Sequence, residues 1–407
     1  MKRLLRVVRA WLEDNWQVSL VVVGGIAAVS ILLLFKLGSL QHGLSESEFQ
    51  LQQLISQHLI TPKLLLRNPI YLPYYLALYV VQLGPFHGPS AVRFVGALFG
   101  LLGAVGFFYI LRRWYSLRMA TFGTALFATS SWFLHAARFA SPEASYLLLP
   151  LLIAGVVHIQ TKVRTRPVLF LVVLLGLLCF YIPGLIWFLI PAVALEWHVI
   201  TRSLKLQPWW FLAVLALTGI LLFVPAIVML VSPFPPITTS QNFLALVGLP
   251  AHFPSPAVIV KNAGHLLSNI FAYNNQGPLY VPGHLPLLDV ATSTLALIGT
   301  YQFARHFKLD RTKLLAILGI IGALLITTNG PVSTVLLLPF VYFVAVEGLR
   351  ILLEMWLKVF PHNPFARSFA VGIVVVLVAA ISVYHLNRYF LAWGHAPETR
   401  AAFNKLP

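Results

Sequence analysis

Acid is what this chain has least of: 11 Asp and Glu stand against 28 Lys and Arg in 407 residues. Charged residues of both signs make up 10% of the chain, where soluble domains carry roughly 25%. So little charge cannot clothe a soluble surface. The single cysteine, Cys179, excludes an intrachain disulfide and a thiolate metal cluster; it sits in an apolar run and reads as packing. His252, His265 and His284 are spaced by 13 and 19 residues and match no compact metal motif. Internal repeats, which build many transporters, are not visible. The net charge of +17 would suggest nucleic acid in a soluble protein. In a chain this apolar, Lys and Arg instead mark cytoplasmic loops, and no nucleic-acid partner is expected.

What the chain has is hydrocarbon: 59% of residues are hydrophobic and the mean hydropathy is +0.86. Apolar runs near 20 residues, long enough to span a bilayer core, recur from end to end. They predict an all-α, polytopic transmembrane bundle over 1–407 with eleven spans: 17–36, 90–111, 119–137, 143–159, 168–182, 184–198, 208–231, 286–304, 313–328, 332–350 and 368–387. The basic, amphipathic residues 1–16 and the first span read as a retained signal anchor. The run 168–195 is split at Pro183-Gly184, because proline breaks the helical ladder and glycine helps the chain turn. Residues 69–84 are short, tyrosine-rich and interrupted by Pro73. They read as an interfacial helix and not as a span. On this threading 19 basic residues fall inside and 9 outside. The N-terminus is then inside and the C-terminus outside. Two long segments face out: 37–89, with interfacial helices, and the loop 232–285. Long loops are usually functional, so chemistry is expected on the outer face.

Two places there hold acids. Ser45 and Glu48 have the spacing of a capping box; equally, Glu48 or Glu46 could face a cavity as a general base. The second place is HAARFASPEA, residues 135–144. Pro142 suits a first helical turn, and Glu143 a helix N-terminus, where the dipole favours negative charge. Arg138 either pairs with Glu143 or offers a fork suited to phosphate. Asn269, Asn274, Asn275 and Gln276 read as a polar loop. Asp289 reads as a helix-end residue, and Arg388 as a contact for lipid headgroups.

The order of several short motifs resembles the GT-C superfamily of membrane glycosyltransferases, notably the protein mannosyltransferases and the aminoarabinose transferases of lipid A. They are SESEF (45–49), NPIYLPYY (68–75), AVRFVGALFGLLG (91–103), FATSSWFLHAARFASPEA (127–144), YIPG (181–184), VPGHLPLLDVATSTLALIG (281–299) and HLNRYFLAW (385–393) followed by AAF. The resemblance implies a GT-C-like fold. It implies inverting transfer of a sugar from a polyprenyl-phosphate donor to a hydroxyl of a lipid, glycan or protein acceptor at the outer face. Glu48, Glu46 and Glu143 are the implied catalytic acids. Arg138, Arg93, Lys63, Arg67 and Tyr74 are the implied substrate-binding residues. No protein-held metal site is implied, although a divalent cation such as Mg or Mn could assist. Where the family carries an Asp-Glu pair, this chain has Ser47-Glu48. A multi-pass protein of the bacterial plasma membrane, with its site facing outward, is expected. A lipid or small-molecule transporter and a catalytically divergent GT-C-like protein are the rival readings.

Overall fold

The computed structural model describes residues 16–41, 43–84, 88–159, 165–231, 239–275 and 283–405, with 277, 279 and 281 between the last two segments. Helix α1 is Trp16–Leu34. Three short helices follow: α2 (Glu46–Ser56), α3 (Pro62–Arg67) and α4 (Leu72–Gln82). Then come α5 (Pro89–Trp114), α6 (Leu117–Thr129) and α7 (Ser131–Arg138). A 3-10 turn (Pro142–Leu148) leads into α8 (Leu149–Ile159). Next are α9 (Arg166–Cys179), α10 (Ile186–Leu195), α11 (Trp197–Lys205), α12 (Trp209–Val231), α13 (Thr239–Val247) and α14 (Pro256–Phe271). After them stand α15 (Val290–Arg305), α16 (Asp310–Thr327), a second 3-10 turn (Thr334–Leu337), α17 (Leu338–Val359), α18 (Pro364–Asn387), a π turn (Arg388–Trp393) and α19 (Pro397–Ala402). The described residues contain no strand. One isolated bridge joins Leu44 to Lys405.

Six helical stretches are long and apolar enough to cross a membrane: Trp16–Leu34, Pro89–Trp114, Pro142–Ile159, Trp209–Val231, Thr334–Val359 and Pro364–Trp393. Several of them expose what a soluble protein would hide, such as Leu20, Val23 and Ile31 on α1 and Leu217, Ile220 and Leu221 on α12. Only a lipid solvent makes such surfaces favourable, and the chain is a multi-pass membrane protein.

The expected segments differ in detail from the helices, for local reasons. The run 119–137 is not one helix. Ser130 adopts an extended backbone and accepts the Phe133 amide at 3.2 Å, capping α7. The run 184–198 breaks at Glu196 into α10 and α11. The turn at Pro183-Gly184 is present: Gly184 has φ 78°, and Tyr146 Oη donates to the Pro183 carbonyl at 2.9 Å. The segment 232–285, expected as a loop, contains α13 and α14. Within 37–89 lie α2, α3 and α4; α4 buries Leu72, Tyr74 and Leu78. The basic N-terminus (1–15) and Gln276 lie outside the described residues.

The tightest helix crossing is α15 on α17. A Cβ on Gly299 would meet the Val344 carbonyl at 1.9 Å, and one on Gly348 the Leu295 carbonyl at 2.0 Å. Small residues let helix backbones meet where lipid offers no hydrophobic drive. The start of α15 lies beside the end of α18, where Asp289 meets His385.

Candidate active site

The first acidic cluster closes on itself. Ser45 caps α2: its Oγ accepts the Glu48 amide at 3.3 Å, and Glu48 Oε2 accepts the Ser45 amide at 3.2 Å. Glu48 also meets Arg93 as a fork, with Nε to Oε1 and Nη2 to Oε2 both at 2.8 Å. The Ala140 amide donates to Oε1 at 3.1 Å. An ionised carboxylate offers about four acceptor sites, and all are taken. Arg93 gives two further donors to the carbonyls of Leu37 at 3.2 Å and Gly43 at 3.1 Å. Exposure is 0% for Glu48 and 1% for Arg93. The pair knits the loop after α1, helix α2, helix α5 and the turn before Glu143. As it stands, the four acceptor positions of Glu48 are taken, and four of the five Arg93 N–H donors are engaged. The capping box expected of Ser45 and Glu48 is present, and Glu48 stands in a closed cluster with Arg93.

Gly43 sits under the C-terminal segment, and a Cβ there would meet the Lys405 carbonyl at 2.4 Å. Lys405 bridges Leu44 through both backbone bonds, at 2.9 and 3.2 Å. Its Nζ reaches Glu46 at 3.1 Å on the open surface. The hydrogen bond and charge of Lys405 hold the Glu46 carboxyl below its ordinary range. Glu46 is therefore a solvated surface acid.

Arg138 is not paired with Glu143. Its guanidinium caps the end of α1, donating to the carbonyls of Leu32, Leu33 and Phe35, each at 2.7 Å, while Nε meets Tyr389 Oη at 3.2 Å. A helix C-terminus leaves such carbonyls without partners and carries negative potential, so a buried cation there serves the fold. Lys63 is exposed and Arg67 half-buried on α3. Tyr74 is fully buried, edge-on to Tyr75 and Phe99; its hydroxyl has no hydrogen-bond partner among the described residues.

Glu143 has a different setting. Ser141 caps the 3-10 turn that carries it, accepting the Glu143 amide at 3.3 Å. Ser333 caps the second 3-10 turn by accepting the Val335 amide at 3.4 Å. The two turns abut and help to wall a cavity of about 300 Å³. Glu143, Ser141, Ser333, Thr334, His135 and Ser131 are among its polar lining. Glu143 is half-buried, with Ser333 beside it. Among the described residues, Glu143 is the expected catalytic acid that lines this cavity.

At Ser131 the cavity wall leads into a buried set of polar groups whose mutual contacts no sequence spacing announced. Ser131 Oγ lies 3.1 Å from His385 Nδ1, and His385 Nε2 lies 2.8 Å from Asp289 Oδ2. His135 packs edge-on against Tyr389 and Trp393, and its Nε2 has no hydrogen-bond partner among the described residues. Asp289 does cap α15, accepting the Ala291 and Thr292 amides at 2.8 and 3.0 Å; the helix-end role holds and the histidine is additional. Arg388 is 4% exposed and donates to the Leu285 carbonyl at 3.2 Å, so it does not meet headgroups. Ser131 and His385 are 254 positions apart. The only advance signal was a lone acid and a lone histidine at opposite ends of late apolar runs. Among the described residues, no three His, Cys, Asp or Glu gather as for a metal ion.

No protein-family model matches the chain, and no curated protein matches it. Solved structures do. ArnT from Cupriavidus metallidurans bound to undecaprenyl phosphate superposes with a TM-score of 0.53 at 13% identity, over 92% of this chain and 77% of that one. The same protein in its apo state gives 0.56 at 13% identity, over 94% and 77%. At this identity the likeness is one of fold, and along most of its length the chain is built like ArnT, as the motif order resembling GT-C transferases implied.

Proposed function

We propose that the protein is a membrane glycosyltransferase. It moves a sugar from a polyprenyl-phosphate donor to a hydroxyl of a lipid, glycan or protein acceptor at the outer membrane face, with inversion at the anomeric carbon. The observation that carries this reading is Glu143: a half-buried carboxylate facing a 300 Å³ cavity, in a fold shared with a protein crystallised with undecaprenyl phosphate.

In this reading Glu143 takes the acceptor proton. The acceptor oxygen attacks the anomeric carbon, and the lipid phosphate leaves with the bonding pair. Phosphate needs little acid assistance to depart. It needs positive charge aimed where negative charge develops. Arg93 and Arg138 are spent on Glu48 and on the end of α1, so Lys63 and Arg67 are the proposed phosphate contacts. Glu46 and Glu48 are assigned no proton transfer. A divalent cation would find one carboxylate and the hydroxyls of Ser141 and Ser333 at Glu143, a sparse donor set. The proposed step runs without a resident metal.

Transfer is measured with the purified chain in lipid nanodiscs, using undecaprenyl-phosphate sugars as donors. Glu143→Gln is expected to cut turnover by about 10²–10⁴-fold, the span of a lost general base, with the thermal transition preserved. Undiminished transfer in that variant would remove Glu143 from the mechanism. A folded wild type that releases no undecaprenyl phosphate would favour the transporter or divergent reading.

A further inference from the structure

Behind the cavity wall at Ser131 lies a second chemistry that the proposed glycosyl transfer does not use. Asp289 Oδ1 is held by the amides of Ala291 and Thr292. Its Oδ2 receives the Thr292 hydroxyl and lies 2.8 Å from His385 Nε2. A carboxylate only accepts, so Nε2 carries the imidazole proton and Nδ1 keeps its lone pair. Ser131 Oγ stands 3.1 Å from that lone pair and donates to it. His385 is 0% exposed and Ser131 1%, so bulk water does not compete for either bond. The order acid, imidazole, hydroxyl is that of an activated serine nucleophile, which is recognised by geometry and not by chain position. Here the two ring nitrogens exchange roles, which leaves the proton path intact.

Two further features favour a nucleophile over a buried network that merely satisfies itself. Ser131 is the first residue of α7, at the break that Ser130 makes, and it lines the cavity. The next residue, Trp132, is the second of α7, a position whose amide has no partner within the helix and stands at its positive end. An amide directly after the nucleophile is one half of the oxyanion site in strand-turn-helix serine enzymes. The cavity wall adds Trp132, Phe139, Val281, Leu287 and Val335, an apolar lining suited to a hydrocarbon tail.

We propose that Ser131, activated by His385 and Asp289, is a nucleophile for carboxylic esters with an apolar acyl chain. His385 Nδ1 takes the Ser131 proton as Oγ attacks the ester carbonyl. The tetrahedral oxyanion collapses, and the alcohol departs with the proton returned by His385. The acyl group is left on Ser131 as an ester. Water or a second alcohol, deprotonated by the same imidazole, then attacks that ester; the acyl–Oγ bond breaks, the acyl group leaves as a carboxylic acid or a new ester, and His385 returns the proton to Ser131.

The test is labelling of the purified full chain in nanodiscs by an alkyl fluorophosphonate, which an activated serine attacks with loss of fluoride. The expected result is a single adduct on the peptide containing Ser131, absent in Ser131→Ala. Labelling should be slowed about 10³-fold or more in His385→Gln and Asp289→Asn, with thermal transitions recorded for each. A folded wild type that gains no adduct at Ser131 overturns the proposal without recourse to any variant. Labelling of Ser131 at an unchanged rate in a folded His385→Gln protein also overturns it. Labelling needs no sugar donor, so its outcome is independent of whether the chain transfers sugar.

Discussion

At the scale of the residue, the same side-chain types have opposite duties according to what surrounds them. Glu48 and Glu46 are two positions apart, yet one is sealed and the other is in water. The difference follows from helical geometry: residues two apart on α2 do not share a face. A buried ion pair does not add much stability over an apolar substitute, but removing one partner strands the other and costs about 3–5 kcal/mol. Arg93→Ala and Glu48→Gln should each lower the thermal midpoint markedly, read by the unfolding of detergent-solubilised protein. Glu46→Gln should leave the midpoint unchanged, because an exposed pair is worth little. The Glu46 carboxyl is held below its ordinary range, so it stays ionised and paired through neutral pH. The small stability that this pairing contributes is lost only as pH falls through that depressed value. An Arg93→Ala protein as stable as wild type would refute the reading of this cluster as a structural clasp.

At the scale of the element, interruptions do more than runs. Ser130 divides what hydropathy reads as one span. The division turns the first residue of α7 toward the cavity and gives it a helix N-terminus. The 3-10 turns capped by Ser141 and Ser333 do the same for Glu143. The register of α15 against α17 rests on Gly299 and Gly348, where backbone meets backbone. Gly299→Leu has no room that a side-chain rotation could make, and should cost about 3 kcal/mol or more. Because α15 begins at Asp289, that change should also displace the carboxylate from His385. The expected readout is a lower thermal midpoint together with loss of Ser131 labelling. A midpoint equal to wild type would show that the two helices can separate freely.

At the scale of the whole molecule, the distribution of Lys and Arg predicts which side of the membrane each loop faces. The natural cysteine, Cys179, is fully buried, so single introduced cysteines can report topology against a quiet background. Lys308→Cys should react with a membrane-impermeant maleimide only after the cytoplasmic side is opened. Lys261→Cys should react in intact cells. Reaction of both from the same side would overturn the proposed eleven-span threading and its orientation. The long segment 232–285 bears on this threading too. Its helices α13 and α14 carry apolar residues such as Phe243, Val260 and Leu267 in the open, which suits an element lying against lipid more than a solvated loop.

Composition and periodicity by themselves determined that the chain is helical and membrane-embedded, where its turns lie near Pro183-Gly184, and that Ser45-Glu48 and Pro142-Glu143 begin helices. These are local matters: hydrocarbon content, proline and glycine geometry, and caps three residues long act within one turn of the chain. Which acid is free was decided only by tertiary structure. Glu48 is closed by Arg93, 45 positions away, and by the Ala140 amide, 92 away. Arg138 is drawn from a phosphate role to the carbonyls of α1, more than 100 positions away. Ser131, His385 and Asp289 come from three helix ends with no common spacing. In a low-dielectric interior every buried charge and donor must find a partner, and the partner is chosen by packing. A polar residue's role in such a protein is therefore settled by which neighbours the bundle brings to it.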